Sequence, residues 1–167
     1  MTPALAPGNR YQGLGYYRTV GVGPTSQRLK DFVYSEALAT FQLAVSLGAK
    51  FEKLSEVNET YRKCSMPNWD AEGAEAITEA AYLEASRFIR LLPVIFPMPE
   101  IVPEPNGQLG FEWHLRRDHM FVVALGGTQV LTFAGLFGSE SSIHGTDPFS
   151  DSLPESIVTY LQRLFNE

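Results

Sequence analysis

Apolar and polar residues alternate along a stretch in the second half of the chain. Leu109, Phe111, Trp113 and Leu115 fall on every second position, and this period of two is typical of a half-buried β-strand. Asn106–Gly107 before the stretch favours a hairpin turn, because both residues tolerate positive φ angles. These features predict a strand with its four apolar side chains on one face.

The residues after this stretch continue the strand pattern. His119 to Leu125 reads HMFVVAL, which predicts a central strand buried on both sides. Gly126–Gly127 favours a tight turn, and Thr128 to Phe137 predicts a returning strand. Its faces are formed by two sets of residues: Val130, Thr132, Ala134 and Leu136 on one, and Leu131, Phe133 and Phe137 on the other.

Two shorter strands are expected at the borders. Glu100 to Pro105 is extended but rich in proline, which cannot donate to a strand ladder and therefore favours a sheet edge. Ser141 to His144 predicts a short final strand. Together the strands predict a four- or five-stranded antiparallel meander over about residues 100–145.

Helical spacing of apolar residues marks the rest of the chain. A helical stretch is predicted from 27 to 64, with an end or bend at Gly48 that makes two helices or one bent helix. A second helix is predicted from 79 to 92, capped by Thr78. A last helix follows the capping box at Ser152–Glu155. The predicted fold class is α+β, with the N-terminal and C-terminal helices packed on one face of the sheet.

The N-terminal segment differs in composition from the rest. Residues 1–26 are rich in proline and glycine, which predicts a flexible or irregular arm. Residues 27–167 are predicted to form a single α+β domain. The paired aromatic residues Tyr16 and Tyr17 make the arm a candidate for partner binding, although local packing is the more common role of such pairs.

The charge and the cysteine content limit the classes of function that we expect for this chain. The net charge is −6, without a basic stripe, so nucleic acid is expected only indirectly through a complex. The acidic residues between Glu52 and Glu84 indicate a solvated helix face or a patch that docks a basic protein. The single cysteine, Cys64, fits a reducing cytosol. We expect a cytoplasmic protein without a signal peptide or membrane span.

Several separated words of the sequence resemble an uncharacterised family of small bacterial proteins. NWDAEGAEAIT with the later LP, PEIVPEPNGQLGFEW, AGLFG and IHGT are similar to its pattern WDGxGA…LP…PEVxPxxDGxIxxEW. The resemblance covers roughly residues 66–165 and implies bacteria or mobile elements and a helix–sheet–helix body. It brings no established activity. Ala71 stands where the family has glycine, which implies a difference in the shape of that loop.

The loop that contains Ala71 also contains candidate binding residues. Trp69, Asp70 and Glu72 are predicted to contact a partner, since tryptophan is common at binding hot spots. The alternative is structural: Asp70 accepts backbone N–H groups and Trp69 closes the edge of the core.

Elsewhere in the sequence, few residues are candidates for catalysis or metal binding. Glu112 and His114 lie two residues apart on one strand face, which would allow an acid–base pair, and with His144 they form the candidate enzyme site. A solvated pair, or an ion pair with Arg116, is the alternative. No metal, cofactor or phosphate loop is predicted, and Cys64 has no base beside it in sequence.

Two functions from different classes remain. The first is a non-catalytic protein-binding module, an inhibitor or accessory subunit in a bacterial or phage conflict system such as toxin–antitoxin, CRISPR or phage defence. The second is a small enzyme with the Glu112, His114 and His144 site on the sheet. Acidity and the absence of a catalytic motif favour the first.

Overall fold

The computed structural model of the chain describes residues 24–166. It divides into two units, with the boundary between Thr40 and Phe41. The predicted arm lies almost wholly outside the described residues, and its last three positions already belong to a helix. The elements in chain order are α1 (Pro24–Cys64), α2 (Glu79–Leu91), β1 (Glu100–Pro103), β2 (Leu109–Arg116), β3 (His119–Leu125), β4 (Val130–Phe137), β5 (Ser142–Pro148) and α3 (Glu155–Asn166).

The first helix is longer than the pattern predicted. α1 is one helix of 41 residues, which begins at Pro24 and does not end at Gly48. A single glycine costs a helix only about 1 kcal/mol, and Pro24 suits a first helical position because it has no N–H to satisfy. Of the first unit, the structure describes only the start of this helix, where the described side chains are exposed.

Length and composition make part of α1 a candidate membrane span. Within Gln27–Cys64, an 18-residue window has a mean hydropathy of 1.2, and none of it is buried. The expectation of a chain without a membrane span stays a prediction.

The second unit is built around a five-stranded antiparallel sheet. Its strand order is β1-β2-β3-β4-β5, so every strand pairs with its neighbour in sequence. Helices precede and follow this meander, and the predicted α+β fold is confirmed. The last strand runs to Pro148, four residues beyond its predicted end, because its whole length pairs with β4.

Two details of the predicted strands are wrong. The register of β2 against β3 shifts between His114 and Arg116, so Leu115 leaves the buried face and is 47% exposed. β3 is central but is not buried on both sides: Phe121 and Val123 are fully buried, whereas Met120 and Val122 are only partly buried. The apolar run on β3 therefore faces helices on one side only.

The core lies between this sheet and its helices. Phe88 of α2 packs on Phe111 with ring centroids 4.8 Å apart and on Trp113 at 6.4 Å. Tyr160 of α3 packs on Phe121 at 5.8 Å. Because these strand residues share one face, α2 and α3 cover the same side of the sheet. Aromatic pairs of this kind stabilise a core by about 0.5–1.5 kcal/mol beyond their buried area.

The position of α2 also depends on a polar contact with the β3–β4 turn. Glu84 is only 6% exposed, and its carboxylate accepts the backbone N–H of Gly127 at 2.8 Å and that of Gln129. Two N–H donors satisfy a carboxylate that would otherwise be costly to bury. The turn is thereby held against the helix.

Gly127 is required at this contact for two reasons. Its φ is +83°, and a Cβ atom there would lie 2.7 Å from both Ala80 Cβ and Ala81 N. We predict that Gly127→Ala lowers the free energy of unfolding by roughly 3 kcal/mol, from the clash and the left-handed backbone together. Chemical denaturation measures this loss.

The neighbouring glycine provides a matched control. A Cβ at Gly126 would meet only the flexible Gln108 side chain, at 3.3 Å, and no positive φ applies there. Gly126→Ala is therefore expected to change the stability far less. Equal losses for the two variants would contradict the close packing of the turn on α2.

Candidate functional site

The side of the sheet that faces away from α2 and α3 is a candidate binding surface, called here the open face. Strand alternation places these residues on it: Val102, Gly110, Glu112, His114, Met120, Val122, Ala124, Val130, Thr132, Ala134, Leu136, His144 and Thr146. Its middle is apolar, and Ala134, Val130 and Leu136 are exposed. Exposed apolar surface of this kind is more common at binding sites than elsewhere on a protein surface.

Small side chains give the open face its shape. One cross-strand row runs through Gly110, Ala124, Thr132 and Thr146, and short side chains along it leave a groove. The groove has a volume of about 380 Å³, and a second hollow of about 360 Å³ adjoins it. Val122, Ala134 and His144 line both. The two hollows form one continuous apolar depression across β3, β4 and β5.

Carboxylates border the depression on the side of β1 and β2. Glu104 lines the groove, and its Oε1 lies 3.1 Å from where a Cβ on Gly110 would stand. Within residues 24–166, neither Glu100, Glu104 nor Glu112 forms an ion pair with a lysine or arginine. The border is therefore negative, and it favours a positively charged partner.

The predicted enzyme residues are only partly brought together. His114 Nε2 lies 2.6 Å from Glu112 Oε2, so these two form a pair. His144 lies in the same cross-strand row as Glu112 but three strand spacings away, which is about 14 Å. Glu112 and His114 line a separate hollow with Met98 and Phe165, and His144 does not.

A three-residue site is therefore not formed. The described residues contain no group of three or more potential metal ligands. The exposed Glu112–His114 hydrogen bond matches the simpler interpretation of a surface pair, although Glu112 pairs with His114 rather than with Arg116. Cys64 is buried, and its burial raises the pKa of the thiol, so it stays protonated at neutral pH and is a poor nucleophile.

The loop with Trp69, Asp70 and Glu72 is held by internal hydrogen bonds. The Asp70 carboxylate accepts the N–H of Ala74 at 3.0 Å and that of Glu72 at 2.8 Å. These backbone donors lower the pKa of Asp70 below its usual value. Trp69 Nε1 donates to the Glu75 carbonyl at 3.0 Å, and its ring packs against the core.

These contacts give Trp69 and Asp70 a structural role, as the alternative interpretation expected. Glu72 is exposed, and its side chain is free to meet a partner. Tyr16 and Tyr17 lie outside the described residues. Partner binding by these five residues stays a prediction.

Several residues of the predicted acidic patch have partners of their own. Glu56 pairs with Lys53 at 2.6 Å, and Glu59 pairs with Lys63 at 2.7 Å. Glu84 is buried at the β3–β4 turn. Asp70 is held in its loop. The solvated-face interpretation of this segment fits these contacts better than a continuous acidic docking patch.

Of the open face, the sequence pattern singles out only Glu112, His114 and His144, as a candidate enzyme site, and it gives no site at the apolar residues between them. The apolar run of β3 predicts a strand that is buried on both sides. A signal was present: the predicted helices cover one face of the sheet, whereas Met120 and Val122 alternate with the residues of that face. The pattern therefore implies that no helix covers the face of β3 that carries Met120 and Val122.

Comparison of the chain with family models, with curated proteins and with solved structures gives no significant match. No family assignment follows.

The loop offers one prediction about its shape. Ala71 has a φ of +64°, in the left-handed region where a Cβ is unfavourable. We predict that Ala71→Gly raises the free energy of unfolding by about 0.5 kcal/mol, since relief of strain exceeds the gain in unfolded-state entropy.

Ala76 in the same loop is the control, because its φ is not positive. Ala76→Gly should destabilise the protein, as glycine only adds freedom to the unfolded chain there. Denaturant titrations measure the free energy of unfolding of both variants. Equal losses of stability in Ala71→Gly and Ala76→Gly would contradict the strain at Ala71.

Proposed function

We propose that this chain is a non-catalytic protein-binding module whose binding surface is the open face of the sheet. The observation that carries the proposal is the apolar depression over β3 to β5, where Ala134 and Leu136 are exposed while the opposite face is closed by α2 and α3. Burial of apolar area at a rate of about 25 cal/mol per Å² would drive association there.

The chemistry of the open face indicates the kind of partner. The apolar centre fits a protein segment that presents apolar side chains in a row, and the depression is open to solvent rather than enclosed around a small molecule. The carboxylates of Glu100, Glu104 and Glu112 along one border fit lysine or arginine beside that row. The net charge of −6 would speed the encounter with a basic protein.

The cellular role proposed for the module is that of an inhibitor or accessory subunit in a bacterial or phage conflict system. This part rests on the resemblance to small proteins of bacteria and mobile elements. A protein of this kind acts by occupying a surface of another protein, and it reaches nucleic acid only through that partner. The proposed location is the cytoplasm.

The enzyme alternative has less support. It requires Glu112, His114 and His144 around one cleft, and His144 lies in a different hollow from the other two. The Glu112–His114 pair supplies an acid–base couple, and Glu100, not His144, lines the same hollow.

A single charge on the open face tests the proposed function. Ala134 is exposed, so Ala134→Arg should fold normally and place an unpaired charge at the centre of the interface. We predict that tagged wild-type protein recovers a stoichiometric partner from its native cells and that Ala134→Arg recovers it at a level more than about tenfold lower.

Thr159→Arg is the matched control, since Thr159 is exposed on α3, away from the open face. It should recover the partner as the wild type does, and thermal unfolding of both variants should match the wild type. Recovery of no stoichiometric partner, or equal recovery by Ala134→Arg, would refute the proposal.

A further inference from the structure

The outer edge of β5 is a surface distinct from the open face. β5 is the last strand of the sheet, and within the described residues it pairs only with β4. Its seven residues run from Ser142 to Pro148 in an unbroken register with β4. Exposed residues alternate with half-buried ones along it, so the strand is regular over its whole length.

The hydrogen bonds at the two ends of the β4–β5 pair show which backbone groups of β5 point away from β4. At one end, the N–H of Phe137 donates to the carbonyl oxygen of Ser141 at 2.8 Å. At the other end, the N–H of Phe149 donates to the carbonyl oxygen of Gln129, also at 2.8 Å. Because hydrogen-bonded pairs alternate in an antiparallel ladder, the even-numbered residues of β5 direct their backbone groups outward. These residues are Ser142, His144 and Thr146, followed by Pro148, which has a C=O but no N–H.

The two edges of the sheet differ in their protection against a further strand. β1 is only four residues long and ends in Pro103, with Pro99 and Pro105 close by. Proline at an edge hinders the addition of another strand. β5 contains no lysine or arginine and no proline before Pro148, and no backbone carbonyl of the described residues accepts its outward N–H groups. The edge at β5 is therefore open to a further strand.

β5 is complementary to itself when a second copy runs antiparallel to it about His144. In this register Ser142 of one copy lies opposite Thr146 of the other, and His144 lies opposite its own counterpart. Every outward N–H then meets a carbonyl, which gives about six hydrogen bonds across a two-fold axis. Serine and threonine on adjacent strands also form a favourable cross-strand pair.

The face of β5 that α2 and α3 cover favours the same register. There Ile143 of one copy lies opposite Gly145 of the other, so a large side chain meets a position without one. Ile143 is half-buried and packs on the core, and the second copy would cover it further. A shift of the second copy by two residues would either set Ile143 opposite the carboxylate of Asp147, which is unfavourable, or leave Thr146 opposite a residue beyond the end of β5.

Charge supports the pairing at both of its ends. The Cζ of Arg163 lies 4.5 Å from the ring centroid of Phe137, and its Nη2 donates to Ser141 Oγ at 3.0 Å. In the pairing about His144, Ser141 lies opposite Asp147 of the second copy. Side chains opposite each other on adjacent strands are about 5 Å apart, so the guanidinium of Arg163 comes close to that carboxylate. Along one β5 strand the same two positions, 141 and 147, are about 20 Å apart, which makes this a contact between copies.

We propose that two copies of this chain associate through β5, antiparallel about His144, so that two five-stranded sheets become one continuous sheet. The proposal does not depend on the partner proposed for the open face. Since the open face extends from β4 over β5, the apolar depressions of the two copies would lie side by side on one surface.

Cross-linking in the full chain tests the register. A short bifunctional thiol reagent should join two chains that carry His144→Cys, because the two copies of residue 144 lie about 5.5 Å apart. Ala134→Cys is the matched control, since Ala134 is exposed on the open face and lies beside His144 on the neighbouring strand. Two copies of residue 134 would be about 14 Å apart, at three strand spacings, and the reagent should join them far less. Cys64 is buried and is replaced by alanine in these variants.

Light scattering measures the association itself. At about 200 μM, where a contact of micromolar affinity is nearly saturated, the wild type should give twice the chain mass of 18.6 kDa. Thr146→Pro should weaken association about tenfold or more, because proline removes an outward N–H but none of the bonds to β4. Thr146→Val keeps that N–H and should associate as the wild type does. Circular dichroism of both variants checks that the fold is intact.

A charge exchange tests the pairing without a change to the backbone. Arg163→Glu should weaken association about tenfold or more, because it sets two carboxylates together at each end of the pair. The addition of Asp147→Arg should restore association, since the exchanged charges meet again between the copies.

Four results would overturn the proposal. The first is a wild type that stays monomeric at the concentration given above. The second is equal cross-linking through His144→Cys and Ala134→Cys. The third is a folded Thr146→Pro variant that associates as tightly as Thr146→Val, and the fourth is a loss of association in Arg163→Glu that Asp147→Arg does not restore.

Discussion

The packing of α2 against one side of the sheet is the contact on which the rest of the structure depends. Phe88 fills the centre of this contact among Phe111, Trp113 and Phe149. Glu84 joins the same helix to the β3–β4 turn through backbone N–H groups. The aromatic cluster supplies the hydrophobic stabilisation. The buried carboxylate holds the β3–β4 turn against the helix, because both of its backbone N–H donors come from that turn.

This one-sided packing explains the surface on the other side. Strands alternate, so the residues that pack under α2 and α3 leave their neighbours in sequence on the open face. Those neighbours are small or apolar on β3 and β4 and acidic near β1 and β2. A sheet that is closed by helices on one side and apolar on the other is well suited to hold a protein partner.

Most of the fold was predictable from sequence, whereas the apolar character of the open face was not. Alternation in β2, the two hairpin turns and the Thr78 cap, which accepts the N–H of Ala81 at 3.1 Å, are local signals, and the structure confirms them. The register shift that exposes Leu115 depends on pairing with β3 and leaves no local trace. The sequence of β3 does not predict its open side, because an apolar run does not show whether helices cover one face of a strand or both. Whether His144 joins Glu112 depends on strand order, which spacing along the chain does not give.

The central claim, that the sheet has one closed and one open face, is tested most directly by thiol labelling of the native protein. Cysteines are placed at Ala134 on the open face and at Val123 under the helices, in a chain whose Cys64 is replaced by alanine. The account predicts that the cysteine at 134 reacts with a maleimide nearly as fast as in the unfolded chain, whereas the cysteine at 123 is strongly protected. Equal rates at the two positions, or protection at 134 in the protein without a partner, would contradict it.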